Sequence, residues 1–326
     1  MIKRALLLSL SLLSLPAWAA TYTFSSDTLF NPISPPPCTG SWSQSGSTFT
    51  CSGRVVLAAG DVLRVSTVFW EGLGDIRVVA NGGFALSSGV TVGTSAKNIS
   101  LESTFGTIDG SGNNTIRGSI TTGSGAVNLS GSNNQIFGSV SGNSAALNIS
   151  GGTISGSVST NGSVNLSNGS VAGAVSGGNG VTTNGMTVSG DVTGSGAFDL
   201  RASNLEGLVQ SAGSITTNGT VVSGTLTSTN GSISLTGGSI NGLVRSGCCT
   251  VTSNGTNLLG GARSDSSSLS ITGGTIQGNF HATNNAAQFS GVTMISGSVT
   301  GAGSASFSNS TLGSAELPIT VTTVSG

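Results

Sequence analysis

The side chains that could carry out acid–base chemistry are few, and one group of them lies in the second half of the chain. Four carboxylates are interleaved there with three arginines: Asp191, Asp199, Glu206, Asp265, Arg201, Arg245 and Arg263. Clustered carboxylates beside basic residues are the groups that polysaccharide-cleaving enzymes use. Asp191 and Glu206 fall at related positions of neighbouring repeats, which could bring their carboxylates close together. We expect solvated surface charges instead, because no basic or aromatic companion recurs beside them.

His281 is the only histidine of the chain. No Asp or Glu lies within ten residues of it in sequence, so we expect it to occupy a solvent-facing strand position. Among the segments of this chain, GTIDGSGNN at 106–114 comes nearest to the calcium-binding nonapeptide G-G-x-G-x-D, but it does not match that pattern. The sequence therefore predicts no catalytic residue, no metal site and no cofactor.

The elements that would position such groups are revealed by a repeat. Motifs such as TIRGSI (115–120), TISGSV (153–158) and MISGSV (294–299) place a glycine between two apolar residues, and these glycines recur 17 to 20 residues apart. The repeat glycines are Gly118, Gly138, Gly156, Gly173, Gly190, Gly207, Gly224, Gly242, Gly260, Gly278 and Gly297. A fixed period of this length is typical of stacked repeat architectures.

The second half of each repeat alternates apolar and polar residues, as in AVNLS (126–130), SVNLS (163–167) and SLSIT (268–272). Such alternation predicts a half-buried strand, and the TNG, NGS and SGG clusters between the halves predict turns. Each repeat then holds two short strands, or three. We therefore predict an all-β chain folded as a single parallel β-helix (β-solenoid), with one repeat in each coil.

One repeat, Thr153 to Gly169, shows what would hold the coils together. The alternation predicts that Ile154, Val158, Val164 and Leu166 point inward. Burying four such side chains barely offsets the ordering entropy of the segment, so a single coil should not fold alone. Gly156 falls on the inward phase, where a side chain would enter a narrow core, so we expect this glycine to mark a bend or a close approach of the backbone.

The outward residues of the second strand should stack in one row along the solenoid. This row is Asn128, Asn148, Asn165, Thr182, Asp199, Thr216, Ser234, Thr252, Ser270, Gln288 and Ser306. It is not a regular threonine ladder, which argues against an ice-binding face. Only 6% of the chain is charged, which suits a stack because like charges about 4.8 Å apart repel by about 1 kcal/mol even in water.

The chain opens with a leader-like segment. Lys3 and Arg4 precede an apolar run, and Pro16 is followed by the A-x-A signature Ala17-Trp18-Ala19. The run is shorter than the roughly 20 apolar residues that a spanning helix needs. We expect removal of residues 1–19, a processed chain starting near Ala20 without a transmembrane segment, and export to the surface or exterior of a Gram-negative bacterium.

Without the leader, eight basic and eleven acidic residues remain. Nucleic-acid binding needs clustered Lys and Arg to displace counterions from phosphate, and the basic residues here are scattered. The composition therefore excludes nucleic acid as a partner.

Four cysteines have structural interpretations. Cys38 and Cys51 flank a short polar segment, and in an exported chain they are expected to form a disulfide, worth about 3 kcal/mol in the chain-entropy model. Cys248 and Cys249 are adjacent, and either a vicinal disulfide or plain packing fits them. Trp42 and Trp70 are expected to cap the open end of the core, with stacking on sugars as the alternative.

The most distinctive segment of the sequence is residues 30–65, FNPISPPPCTGSWSQSGSTFTCSGRVVLAAGDVLRV. Its Cys38…Trp42…Cys51-x-Gly53 frame and the following VVLAAGDVLRV resemble the start of large exported proteins of MSHA-type (type IV) pilus biogenesis, those of the Q type. The resemblance covers this N-terminal region and implies a cell-surface or pilus-associated structural or adhesive protein. In general style the repeats also resemble polymer-forming β-solenoids of bacterial cytoskeletal type.

These observations predict a domain order: leader 1–19, N-terminal cap 20–60 with the Cys38–Cys51 loop, looser coils 61–112, regular repeats 113–312 and an end strand 313–326. The function expected is that of a non-enzymatic surface scaffold or adhesin, with a surface glycan, a pilus component or a second copy of the chain as partner. A secreted polysaccharide-cleaving enzyme and a self-assembling solenoid are the alternatives.

Overall fold

A computed structural model describes residues 19–24, 35–65, 76–283, 285–314 and 316–323. All regular structure in these residues is β-strand. They contain no helix long and apolar enough to cross a membrane. Residues 1–18 of the predicted leader and Trp70 lie outside the described residues, so the predictions made for them stay predictions.

The strands follow one another closely. The first are β1 (Thr21–Phe24), β2 (Trp42–Ser45), β3 (Thr48–Cys51), β4 (Val55–Leu57), β5 (Val62–Val65), β6 (Ile76–Ala80), β7 (Phe84–Leu86), β8 (Thr91–Val92), β9 (Ile99–Ser103), β10 (Ile108–Ser111), β11 (Thr115–Ile116), β12 (Ile120–Thr122), β13 (Val127–Ser130), β14 (Gln135–Ile136) and β15 (Val140–Gly142). The middle ones are β16 (Leu147–Ile154), β17 (Val158–Thr160), β18 (Ser163–Val171), β19 (Val175–Gly177), β20 (Gly180–Val188), β21 (Val192–Gly194), β22 (Ala197–Arg201), β23 (Asn204–Leu205), β24 (Val209–Ser211), β25 (Ile215–Asn218), β26 (Val221–Val222), β27 (Leu226–Ser228) and β28 (Ile233–Thr236). The last are β29 (Ser239–Ile240), β30 (Val244–Ser246), β31 (Val251–Asn254), β32 (Asn257–Leu258), β33 (Ala262–Ser264), β34 (Leu269–Thr272), β35 (Thr275–Ala282), β36 (Ala286–Ser290), β37 (Thr293–Ala302), β38 (Ser304–Ser308), β39 (Thr311–Leu312) and β40 (Ile319–Thr323).

Three faces arise because each strand pairs in parallel with its counterpart in the next coil. Face 1 contains the alternating strands, for example β10, β13 and β16. Face 2 contains very short strands, for example β8, β11 and β14. Face 3 contains the strands that follow the repeat glycine, for example β12, β15 and β17. The predicted parallel β-solenoid is confirmed, with three faces in each coil; strands such as β16 and β18 continue around the corner from face 1 to face 2.

The register of face 1 agrees with the row read from the sequence. Asn128 pairs with Asn148, Asn148 with Asn165, and Asn165 with Thr182. The row continues without slippage to Ser306. Equivalent residues of successive coils therefore stack directly along the axis.

One apolar core runs inside the three faces. In the coil built from Thr153 to Gly169, Val158 and Val164 are fully buried, while Ile154 and Leu166 are at most 3% exposed. The four residues predicted to point inward all do so. Each contributes about 1.5–3 kcal/mol by burial.

The repeat glycines form a column at the corner between faces 2 and 3. A Cβ added at Gly156 would lie 2.7 Å from the carbonyl carbon and oxygen of Gly138, and 2.5 Å from Ser139 Oγ. The Gly156 amide also donates to the Gly138 carbonyl at 3.1 Å. The close backbone approach expected at Gly156 is confirmed, but a side chain there would collide with the backbone of the preceding coil rather than enter the core.

Buried hydroxyls line the corner between faces 3 and 1. Ser228 Oγ lies 2.8 Å from the carbonyl oxygen of Gly213 and 2.8 Å from that of Gly231. Ser246 Oγ lies 3.0 Å from the same Gly231 oxygen. Thr160 Oγ1 donates to the Ala145 carbonyl at 2.7 Å. These side chains satisfy turn carbonyls that would otherwise be buried without partners.

The N-terminal end is closed by an antiparallel hairpin of β2 and β3, and β3 then joins face 3 by pairing with β6. The disulfide Cys38–Cys51 is present, with 6.0 Å between the Cα atoms. Trp42 packs against the apolar core, and its Nε1 donates to the Pro36 carbonyl at 3.1 Å. The described tryptophan therefore covers the core end, as the sequence suggested.

Candidate functional site

The outer surface of face 1 carries a ladder of three asparagines, here called the Asn column: Asn128, Asn148 and Asn165. The side-chain amide of Asn148 donates to Asn128 Oδ1 at 2.8 Å, and that of Asn165 donates to Asn148 Oδ1 at 2.7 Å. Each carboxamide is therefore held by its neighbours and points the same way. Hydrogen bonds in such a chain polarise one another.

The ladder is anchored at one end by a carboxylate. The Asn128 amide donates to Asp109 Oδ1 at 2.8 Å, while Thr107 Oγ1 and Arg54 Nη2 each lie 2.6 Å from Asp109 Oδ2. Burial alone would raise the pKa of Asp109, but the hydrogen bonds from Asn128, Thr107 and Arg54 and the Arg54 charge outweigh it and lower that pKa. The anchor thus remains an acceptor and fixes the direction of the whole ladder.

A second row runs parallel to the first, two residues further along each strand. Its members Ser130, Ser150 and Ser167, here called the Ser column, stack in register and lead to Asn184. Between the two columns lies a shallow groove with a volume of about 350 Å³. The carboxamides and hydroxyls at its edges can both donate and accept hydrogen bonds, while most of the groove's exposed surface is apolar.

An ion pair interrupts face 1 beyond the groove. Asp199 continues the Asn column and Arg201 continues the Ser column, and Arg201 Nη2 lies 2.6 Å from Asp199 Oδ2. The hydrogen bond and charge of Asp199 raise the pKa of Arg201. A second groove of about 170 Å³ follows near the other end of the same face, beside Ser270, Gln288 and Ser306.

Among the remaining acids singled out in the sequence, Asp191 and Asp265 have different partners. Asp191 Oδ1 accepts the Leu208 amide at 3.0 Å, and within the described residues neither Asp191 nor Glu206 forms an ion pair. Asp265 accepts from Arg245 Nη2 at 2.7 Å and also from Arg263. Burial opposes the shift, but these two arginines lower the pKa of Asp265.

His281 lies on face 3, paired in register with Arg263 and Thr300. Its Nδ1 is 3.1 Å from Thr300 Oγ1 and its Nε2 is 3.2 Å from Thr283 Oγ1. Both ring nitrogens thus face hydroxyls of neutral threonines. No group of three or more potential metal-ligating side chains occurs in the described ranges.

Cys248 and Cys249 form a vicinal disulfide, with Cα atoms 3.7 Å apart. The pair occupies the turn between faces 3 and 1, where the Cys249 amide donates to Ser246 Oγ at 2.9 Å and its carbonyl accepts from Ser264 Oγ at 2.9 Å. Of the two interpretations left open by the sequence, the disulfide is the one present.

The sequence placed the Asn column in one row but not the anchor that orients it. Arg54 and Asp109 are 55 residues apart and both precede the regular repeats, so no period links them. The only signal was the position of Asp109 one coil before Asn128, at the same phase.

No protein-family model, curated protein or solved structure matches this chain.

Proposed function

We propose that this protein is an exported, non-enzymatic surface rod that uses face 1 to adhere to an extended glycan. The observation that carries the proposal is the fixed Asn column running beside the Ser column along a groove. A polymer of hydroxyl-bearing units lying along the axis would meet a similar donor and acceptor pattern at each of the three coils that the Asn column spans. Preorganised side chains reduce the ordering entropy that binding would otherwise cost.

The charges of the chain support binding rather than catalysis. Asp109, Asp199 and Asp265 are each held in an ion pair with arginine. Glycoside cleavage needs two carboxylates facing the same bond, one of them able to give up a proton. The lowered pKa values of Asp109 and Asp265 work against such a role as acid.

Export and pilus association rest on the sequence. The leader pattern before Ala20 supports export, and the Cys38…Trp42…Cys51 frame supports a place among proteins of type IV pilus biogenesis. The two disulfides fit an oxidising compartment.

The binding proposal is tested by applying the purified processed protein to a panel of immobilised bacterial and host polysaccharides. We expect binding to at least one glycan, reduced tenfold or more in the triple variant Asn128→Ala, Asn148→Ala, Asn165→Ala. The matched control changes three outward serines of face 3, Ser141→Ala, Ser159→Ala and Ser176→Ala, and should bind as the parent does. Equal loss in both triple variants would contradict the assignment to face 1.

The cellular proposal has a separate test. We expect the tagged protein on the outside of the cell, and we expect its deletion to reduce pilus number or surface adhesion. Unchanged pili and adhesion, together with degradation of a glycan by the purified protein, would instead favour the enzyme.

A further inference from the structure

A buried carboxylate near the N-terminal end has unusual partners. Asp61 is 1% exposed, and its Oδ2 accepts the Ala58 amide at 2.7 Å. Its Oδ1 accepts from the backbone nitrogen of Ala20 at 2.8 Å. The Asp61 backbone is fixed as well, since its carbonyl accepts the Thr91 amide at 2.8 Å. The side chain is therefore held in place with one oxygen directed at Ala20.

No described Lys, Arg or His forms an ion pair with Asp61. The other neighbouring group is the Tyr22 hydroxyl, whose pKa is raised by burial first and then by the charge of Asp61 and a hydrogen bond to it. The donors to Asp61 among the described residues are neutral, and a buried carboxylate with neutral donors alone is costly because the desolvation of its charge is incompletely offset.

The nitrogen that faces Asp61 belongs to the residue at which the leader pattern predicts the processed chain to begin. Ala17-Trp18-Ala19 is an A-x-A signature, and Ala19 is exposed. Strand β1 starts at Thr21, directly after Ala20. It pairs with β5, which starts at Val62, directly after Asp61. Val62 also donates its amide to the Ala20 carbonyl at 2.8 Å.

We propose that hydrolysis of the Ala19–Ala20 bond creates an α-ammonium at Ala20 that pairs with Asp61 and fastens β1 to the solenoid. Water adds its hydroxyl to the Ala19 carbonyl carbon and a proton to the Ala20 nitrogen as the C–N bond breaks. The released amine takes up one more proton at neutral pH. The uncleaved chain keeps an uncharged amide at this place, so the countercharge of Asp61 exists only after processing.

Processing would then complete the N-terminal end of the rod. Before cleavage β1 is held by its ladder to β5 and by neutral hydrogen bonds. Afterwards a charge-assisted hydrogen bond, shorter and about twice as strong as a neutral one, is added at the first residue of the chain.

The proposed cleavage between Ala19 and Ala20 rests on the leader pattern, which also supports the export proposed above. The pairing of Ala20 with Asp61 does not depend on export. N-terminal sequencing of the protein recovered from cells should give Ala20-Thr21-Tyr22 first, and any other start would overturn it. The pairing itself is tested on purified protein, so that a failure to bind glycans or to reach the surface leaves this test unaffected.

Two processed chains are compared by hydrogen exchange of the peptides that contain β1 and β5: one begins at Ala20 and the other carries one extra glycine before it. The extra glycine turns the Ala20 nitrogen back into an amide and moves the charge away from Asp61. We expect exchange in β1 to become at least tenfold faster in the extended chain. Equal exchange in the two chains would overturn the pairing.

The chain that begins at Ala20 and the chain with the extra glycine are also compared in the Asp61→Asn variant, which removes the negative charge of residue 61. There the extra glycine should no longer change the exchange rate, and an undiminished effect would overturn the assignment to Asp61. Asp199→Asn, which alters an exposed carboxylate on face 1, is the matched control and should retain the full effect of the glycine. If Asp61→Asn does not fold, the two chains with Asp61 still decide the question.

Discussion

The side-chain amide of Asn148 donates to Asn128 Oδ1 at 2.8 Å, so two residues 20 positions apart hold each other's orientation on face 1. Because Asn148 also accepts from Asn165, it acts as donor and acceptor within one ladder. An acid at this position would lose the donor while keeping the shape.

Asn148→Asp should therefore destabilise the rod by about 1–2 kcal/mol at neutral pH, since Asn128 loses a donor and faces a negative charge. Thermal unfolding followed by circular dichroism measures the change. Asn133→Asp, at an exposed turn position, is the control and should leave the midpoint nearly unchanged. A similar loss in both variants would argue against the ladder.

Gly156→Ala should destabilise the solenoid by about 1–3 kcal/mol, because its methyl group would overlap the Gly138 backbone and force adjacent coils apart. Ser155→Ala, at the neighbouring exposed position, provides the comparison and should cost little. Denaturant unfolding of both variants distinguishes the two cases. Wild-type stability of Gly156→Ala would show that coils can separate at this corner without cost.

Thr217→Val should stabilise the protein by about 1 kcal/mol. Thr217 is 1% exposed, and its hydroxyl has no hydrogen-bond partner among the described residues. Replacing an unsatisfied buried hydroxyl by a methyl group removes its desolvation cost. Thr183→Val is the matched variant on the same inner row, where the hydroxyl lies 3.0 Å from Ser203 Oγ, and it should lower the melting temperature. A lower melting temperature for Thr217→Val than for Thr183→Val would contradict this prediction.

The lowered pKa of Asp109 predicts a loss of stability in acid. The unfolded carboxylate titrates near its ordinary value of about 3.9, so the contribution of Asp109 is complete above that pH and disappears as the pH falls through the folded pKa. Its side chain is 43% exposed, which limits the effect to less than about 1 kcal/mol. Melting temperatures of Asp109→Asn and Arg54→Met, measured from pH 5 to pH 2, should fall less steeply than those of the parent. Parallel curves for all three proteins would contradict the prediction.

The solenoid and its register could be predicted because the signal is local and repeated. The alternation around Asn128, Asn148 and Asn165 fixes which side chains point outward, and the repeat glycines fix the period. The third strand was less evident because a strand such as β14 has only two residues, too few for a period to show. Other features depend on contacts between coils. The collision at Gly156 involves the backbone of the preceding coil, and the link between Arg54 and Asp109 joins residues with no recurring spacing.

The column of repeat glycines also has a consequence for length. From Gly138 to Gly260 each repeat glycine lies against the backbone of its counterpart in the preceding coil, so this corner is built in the same way over that part of the rod. Excision or duplication of one whole repeat would preserve every junction and change the reach of the molecule by a step of about 4.8 Å. A gene encoding such repeats can therefore adjust how far the protein extends without redesigning how it folds.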